Sequence, residues 1–166
     1  MAAGNTYTPI ATQTLGSSAS SITFSSISGS YTDLVLIANP HMTAAATAYL
    51  YLQFNGDTAT NYSVELLKGN GTTATAVNRS GETQIRTAEG AYMEDVYSTV
   101  ILNIMNYANA TTNKTVITRT SHAPLGVELS VGMWRSTAAI TSVLLKPHTG
   151  SFDIGSTFTL YGIAAA

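Results

Sequence analysis

The feature that most constrains this chain is a period of two in its apolar residues. In residues 98–107, Val100, Leu102 and Ile104 fall on one face, with Thr99, Asn103 and Met105 on the other and Ile101 an apolar exception. Residues 126–135 set Val127, Leu129, Val131 and Met133 against Glu128, Ser130, Gly132 and Trp134. Residues 157–163 set Phe158 and Leu160 against Thr159 and Tyr161, and 48–55 set Leu50, Leu52 and Phe54 against Tyr49, Tyr51 and Gln53. Successive side chains of a strand point to opposite faces, so this alternation predicts half-buried strands. Residues 7–15, 21–27, 32–38, 62–67, 114–122 and 140–146 carry further strand candidates.

Turn chemistry separates them. Ser28-Gly29-Ser30, Asn55-Gly56-Asp57 and Gly69-Asn70-Gly71 supply residues that tolerate positive φ, as does the Asn/Thr/Ala stretch 106–113. Pro124-Leu125-Gly126 and residues 147–150 close two more strands. About ten short strands at regular spacing predict an all-β fold, an antiparallel β-sandwich of jelly-roll-like type. No long helix is expected. The Ala-rich stretch 42–49 has the composition for a turn or two of helix, and 83–95, where Arg86, Glu89, Glu94 and Asp95 concentrate, reads as an exposed connection or a short helix. With no Pro-rich or charged linker and no repeat of fixed period, residues 1–166 read as one domain, with 1–15 as an extended N-terminal arm and the last three alanines as a loose or docking tail.

Only 10% of the residues are charged, against roughly 25% in an ordinary soluble domain. Neutral Ser and Thr fill the gap. A net charge of −2, with the seven basic residues scattered from Lys68 to Lys146, argues against nucleic-acid binding. Residues 1–32 lack the basic start and continuous apolar stretch of a secretory signal, and 34–56 is interrupted by Asn39-Pro40-His41 and several Thr, so no membrane span is expected. There is no cysteine, and hence no disulfide framework or thiolate metal site. A surface this poor in charge does little to keep molecules apart, which suits a protein that works in an assembly.

The residues that could carry chemistry are few. His41, His122 and His148 share no metal-ligand spacing and read as loop or capping residues. A glycosidase needs two carboxylates facing each other at roughly 5–10 Å. The candidates are Asp33, Asp57, Glu65, Glu82, Glu89, Glu94, Asp95, Glu128 and Asp153; Glu94 and Asp95 are adjacent, and Glu65 and Glu128 would meet only through topology. There is no G-x-S-x-G elbow, phosphate loop or dinucleotide fingerprint, and Gly69-Asn70-Gly71 lacks a following Lys-Ser/Thr. No catalytic, cofactor-binding or metal-binding residue is assigned, and no enzymatic activity is expected. Tyr49, Tyr51 and Trp134 lie opposite apolar stripes, where they face solvent as a sugar platform, a neighbouring subunit, or the second layer of a sandwich.

Two stretches resemble known proteins. One runs from Ser21-Ile22-Thr23-Phe24-Ser25-Ser26-Ile27 through Tyr31-Thr32-Asp33-Leu34-Val35-Leu36 to Phe54-Asn55-Gly56-Asp57 and Asn61-Tyr62-Ser63. The other comprises Trp134-Arg135-Ser136, Ala139-Ile140-Thr141, Phe152 and Gly155-Ser156-Thr157-Phe158-Thr159-Leu160-Tyr161-Gly162-Ile163. Together they resemble small jelly-roll-like virion structural proteins of tailed bacteriophages, as found in phages of cyanobacteria and marine bacteria. The resemblance implies a sandwich module on the outside of the particle: a capsid decoration (cement) protein, a head fibre, or a tail-fibre or baseplate domain. A fibre usually adds a coiled-coil or β-helical shaft, of which the sequence has no sign. The expectation is therefore a decoration protein, made in the host cytoplasm and placed on the outer capsid surface. It would contact the major capsid protein and its own copies, as a trimer at local three-fold positions, with the arm 1–15 reaching a neighbour. The rival expectation is a receptor- or glycan-binding tip of a fibre.

Overall fold

The alternating segments form strands, and every ladder between them is antiparallel. The computed structural model describes residues 6–42, 49–88, 97–122 and 126–164. In chain order the strands are β1 (Tyr7–Thr14), β2 (Ile22–Phe24), β3 (Asp33–Asn39), β4 (Leu50–Phe54), β5 (Tyr62–Gly69) and β6 (Ala74–Glu82), followed by β7 (Ile85–Thr87), β8 (Thr99–Met105), β9 (Lys114–His122), β10 (Gly126–Trp134), β11 (Val143–Pro147) and β12 (Thr157–Ile163). They build an eight-stranded sheet, β1-β12-β3-β8-β9-β10-β5-β6, and a four-stranded sheet, β2-β11-β4-β7. The fold is an all-β antiparallel sandwich of unequal sheets.

The described residues form twelve strands where about ten were expected, and the two additions are instructive. β6 has no large apolar residue except Val77, because it overhangs the narrow sheet and is largely exposed on both faces. β7 falls inside the stretch read as a connection or short helix; it is a three-residue strand with Ile85 and Thr87 buried. Residues 89–96, the rest of that stretch, and 43–48, the core of the Ala-rich one, lie outside the described residues. So do residues 1–5 and the last two alanines. Residues 7–14 of the expected arm are β1, an edge strand hydrogen-bonded along β12 of the same chain, with a register shift after Pro9.

One apolar core lies between the sheets. The narrow sheet contributes Ile22, Phe24, Leu50, Leu52, Phe54, Ile85, Val143 and Leu145, and the wide sheet Leu34, Leu36, Val100, Leu102, Ile104, Phe158 and Leu160, all buried. At roughly 25 cal/mol per Å² of apolar surface, burial on this scale is the main force holding the sheets together. Two loops use one device. Asn70 Oδ1 accepts from the amides of Thr72 and Thr73, and Asn109 Oδ1 accepts from those of Thr111 and Thr112, so each Asn side chain closes its own turn.

Core packing also reverses one strand. In β8, β4 and β12 the apolar stripe points inward as the alternation suggests. In β10 it points outward: Val127, Leu129, Val131 and Met133 are exposed, while Glu128, Ser130, Gly132 and Trp134 are buried. The inner positions match what crosses above them. A Cβ on Gly132 would lie 2.7 Å from Cγ2 of Ile85, so only glycine lets β7 approach. Glu128 accepts the Ala88 amide at 2.9 Å, and Trp134 fills the core beside Phe54 and Tyr62.

Candidate functional site

Four places in the fold gather the residues singled out by the sequence. The first is the corner where Asn55-Gly56-Asp57, Asn61-Tyr62-Ser63 and Trp134-Arg135 meet. The turn has Asn55 and Gly56 at φ of 53° and 67°, and the Asp57 amide donates to the Phe54 carbonyl at 2.9 Å. Asp57 Oδ2 accepts from the Trp134 indole N–H at 2.7 Å and from Asn61 Nδ2 at 2.8 Å, and Oδ1 accepts the Ala59 amide. Asn61, Ala59 and Trp134 all donate to the ionised carboxylate, and this holds the Asp57 pKa below its ordinary value. The Tyr62 hydroxyl, buried here, donates to the Asp57 carbonyl at 3.1 Å; burial first, and then the nearby carboxylate, push its pKa up to about 12. Arg135 donates to the carbonyls of Thr60 and Tyr62 and to Ser63 Oγ, while Asn55 Oδ1 accepts the amides of Thr141 and Ser142. The motif residues converge, then, but on a latch that holds the 55–61 loop together and ties it to the end of β10 and to residues 141 and 142.

The second place is the small His41–Asp153 group, and the candidate catalytic groups are otherwise dispersed. Glu65 and Glu128 do lie on neighbouring strands, but on opposite faces: Glu65 points outward opposite Val131, and Glu128 points inward opposite Lys68. Trp134, a candidate for an exposed platform, is 2% exposed. His41 Nδ1 sits 3.4 Å from Asp153 Oδ2, with its ring stacked on Tyr97. The nearby Ser156 hydroxyl is engaged by the main chain of His41, accepting from its amide at 3.0 Å and donating to its carbonyl at 3.2 Å, so this group ties two loops. Lys114 is buried, with its ammonium on the carbonyls of Thr112 and Thr137, and burial pulls its pKa down. His122 is buried, and among the described residues neither of its ring nitrogens has a hydrogen-bond partner, nor do the hydroxyls of Thr118 and Thr120 on the same face of β9. Among the described residues no group of three or more His, Asp or Glu is placed to hold a metal ion, and no helix is long and apolar enough to cross a membrane.

The third place is the outer face of the narrow sheet. Here Tyr49 and Tyr51 meet residues that the sequence did not connect to them: Arg86 of β7, Lys146 of β11, and His148. The His148 ring stacks on Tyr49 at 4.1 Å, and the Arg86 guanidinium lies 4.5 Å from the centre of the same ring. The Tyr49 ring is therefore already engaged by two side chains of its own chain. His148 Nδ1 is 3.0 Å from the Tyr51 hydroxyl, and Lys146 lies 5.7 Å from the Tyr51 ring. The register explains the convergence, since Lys146, Tyr51 and Arg86 are direct cross-strand neighbours.

The fourth is the outer face of the wide sheet across β5, β10 and β9. Leu67, Leu129 and Arg119 form one row across the strands; Glu65, Val131 and Ile117 form the next; and Ser63, Met133 and Thr115 the third. Val127 extends the stripe, and Met105 of β8 lies beside Thr115. Leu67 is 54% exposed, Val127 59% and Leu129 47%. A recess of about 400 Å³ at one end is lined by Leu67, Gly69, Ala74, Val127 and Leu129, with Arg119 at its side. The signal for this surface was in the sequence as the stripe of residues 127–133, but the alternation alone does not say which face is buried. No protein-family model matches the sequence, and no curated protein matches it.

Proposed function

We propose that this chain is a structural protein of a bacteriophage particle: a capsid decoration (cement) protein that binds the outer capsid surface and stabilises the shell through subunit contacts. The observation that carries the reading is the outer face of the wide sheet, an apolar surface of core-like composition that the described residues leave uncovered. A protein that works alone has little use for such a face, whereas an assembling one buries it. The second support is the open edge of β1, which offers main-chain donors and acceptors to a neighbouring strand beyond the Pro9 irregularity. The third is the resemblance of the latch and terminal-strand motifs to jelly-roll-like virion proteins. A decoration protein acts by mass action: it binds the assembled shell and not its dissociated subunits, and so shifts the balance toward the shell. Its partners are the major capsid protein and its own copies.

Cryo-electron microscopy of the particle carrying this chain tests the reading. Density for the sandwich on the outer shell is the expected result, and density at the tail tip would overturn it. Deleting residues 1–15 removes β1 with its open edge and is expected to weaken capsid binding in a chain that circular dichroism shows still folded; unchanged affinity would make that edge irrelevant.

The second reading, a glycan-binding fibre tip, draws on the Tyr49–Tyr51–His148 cluster. Against it, the Tyr49 ring is already engaged by the chain's own His148 and Arg86. A glycan array is expected to stay blank, and binding abolished by Tyr51→Ala would establish the tip reading instead.

A further inference from the structure

We infer that the outer face of the wide sheet is covered by a second copy of this chain, packed sheet to sheet about a two-fold axis that runs along β10. The inference deepens the assembly reading by naming the occupant of its carrying surface. The first argument is the composition of the face. Leu67, Ile117, Leu129, Val131 and Met133 expose β-branched and long apolar side chains on adjacent strands in register, as the inner faces of a sandwich do. With Val127 and Met105 they present on the order of 500 Å² of apolar surface, at the top of the range for a monomer's largest patch and more than half of one side of a standard interface.

The second argument is charge. On β5, β10 and β9 the outward-pointing charges are Glu65 and Arg119, one acid and one base on opposite flanks of the β10 stripe. A two-fold along β10 lays β5 of one copy over β9 of the other. Glu65, in the Val131 row, is then offset by one two-residue repeat, about 7 Å along the strand, from the other copy's Arg119 in the Leu129 row, across the roughly 10 Å between packed sheets, a gap that the two long side chains bridge together. The same pairing recurs on the other flank, as an isologous interface requires. A partner without a matching base and acid would bury one of these charges unpaired, at substantial cost. Asn78 and Arg119's own contact with Asn103 already hold the two side chains near the sheet.

Sedimentation of the purified chain at increasing concentration tests this directly. The wild type is expected to reach twice the chain mass at micromolar concentration. Leu129→Thr/Val131→Thr, which keeps strand propensity on an exposed face, is expected to pair at least about 100-fold more weakly, with an unchanged thermal midpoint at dilutions where the wild type is monomeric. Arg119→Glu is expected to weaken pairing about 10-fold, and Glu65→Arg/Arg119→Glu to restore it. A monomer at every concentration, a trimer, or pairing indifferent to these substitutions would overturn the two-fold face. Capsid binding by the same variants separates the two ideas. A monomeric protein whose stripe variants lose capsid binding would assign the face to the shell and overturn pairing, whereas a dimer that binds no capsid would keep pairing and remove the decoration reading.

Discussion

Strands β8 and β10 flank β9 on either side and carry the same alternation, yet they present it in opposite senses. β8 buries Val100, Leu102 and Ile104 and turns Thr99 and Asn103 outward. β10 buries Glu128, Ser130, Gly132 and Trp134 and turns its apolar stripe outward. Period two fixes that a strand has two faces; what crosses above each face decides which one is inside. The inward residues of β8, Val100, Leu102 and Ile104, join the apolar core shared with the narrow sheet. Over β10 lies its edge strand β7, close enough to need Gly132 and bonded through Ala88 to Glu128, while Asp57 draws the Trp134 indole inward. The stripe left outside is then available to something other than this chain.

This contrast can be broken in order of effect. Trp134→Ala removes the aromatic anchor of β10 together with the donor to Asp57, and is expected to cost about 3–5 kcal/mol in urea unfolding. Leu102→Ala, inside β8, is expected to cost about 2–5 kcal/mol, whereas Leu129→Ala, outside β10, is expected to cost under about 0.5 kcal/mol in the dilute chain. Equal losses at the two leucines would contradict the reversal. Gly132→Ala drives a methyl into Ile85 and is expected to cost about 1–3 kcal/mol, with partial rescue by Ile85→Val.

Asp57→Asn tests the latch through pH. The folded-state pKa of Asp57 lies below its unfolded value, so its contribution is present above the ordinary carboxylate range and is lost as pH falls through the folded pKa. The variant is therefore expected to be less stable by roughly 1 kcal/mol near neutrality, with the gap closing in acid, and a gap that widened in acid would refute the assignment. The smallest effect is a gain. Thr118→Val replaces a buried, unpartnered hydroxyl with a methyl of the same shape and is expected to stabilise by about 0.5–1 kcal/mol.

The fold was legible wherever one strand face was apolar and the other polar. β4, β8, β10 and β12 lie where the alternation places them, and β3, β5 and β9 lie at the further strand candidates, to within a residue or two. β6 was not legible because a strand that overhangs its partner sheet needs no apolar face, and β7 was not because three residues are too few to show a period. The candidate surfaces were less legible still. Tyr49 and Tyr51 could be named, but Arg86 and Lys146 reach them only through cross-strand register. The latch motifs could be quoted, but their role as a loop tie depends on Asp57 meeting Trp134 from a distant strand.

The claim on which the rest depends is that the outward stripe of β10 is covered in the working state. Peroxide footprinting of the methionines tests it most directly, because Met133 and Met105 lie on that face, 39% exposed each, and Met42 is a buried control in the same chain. Between dilute and concentrated protein, the account predicts that oxidation of Met133 slows markedly, Met105 less so, and that Met42 stays protected throughout. Oxidation of Met133 at the same rate under both conditions would contradict it.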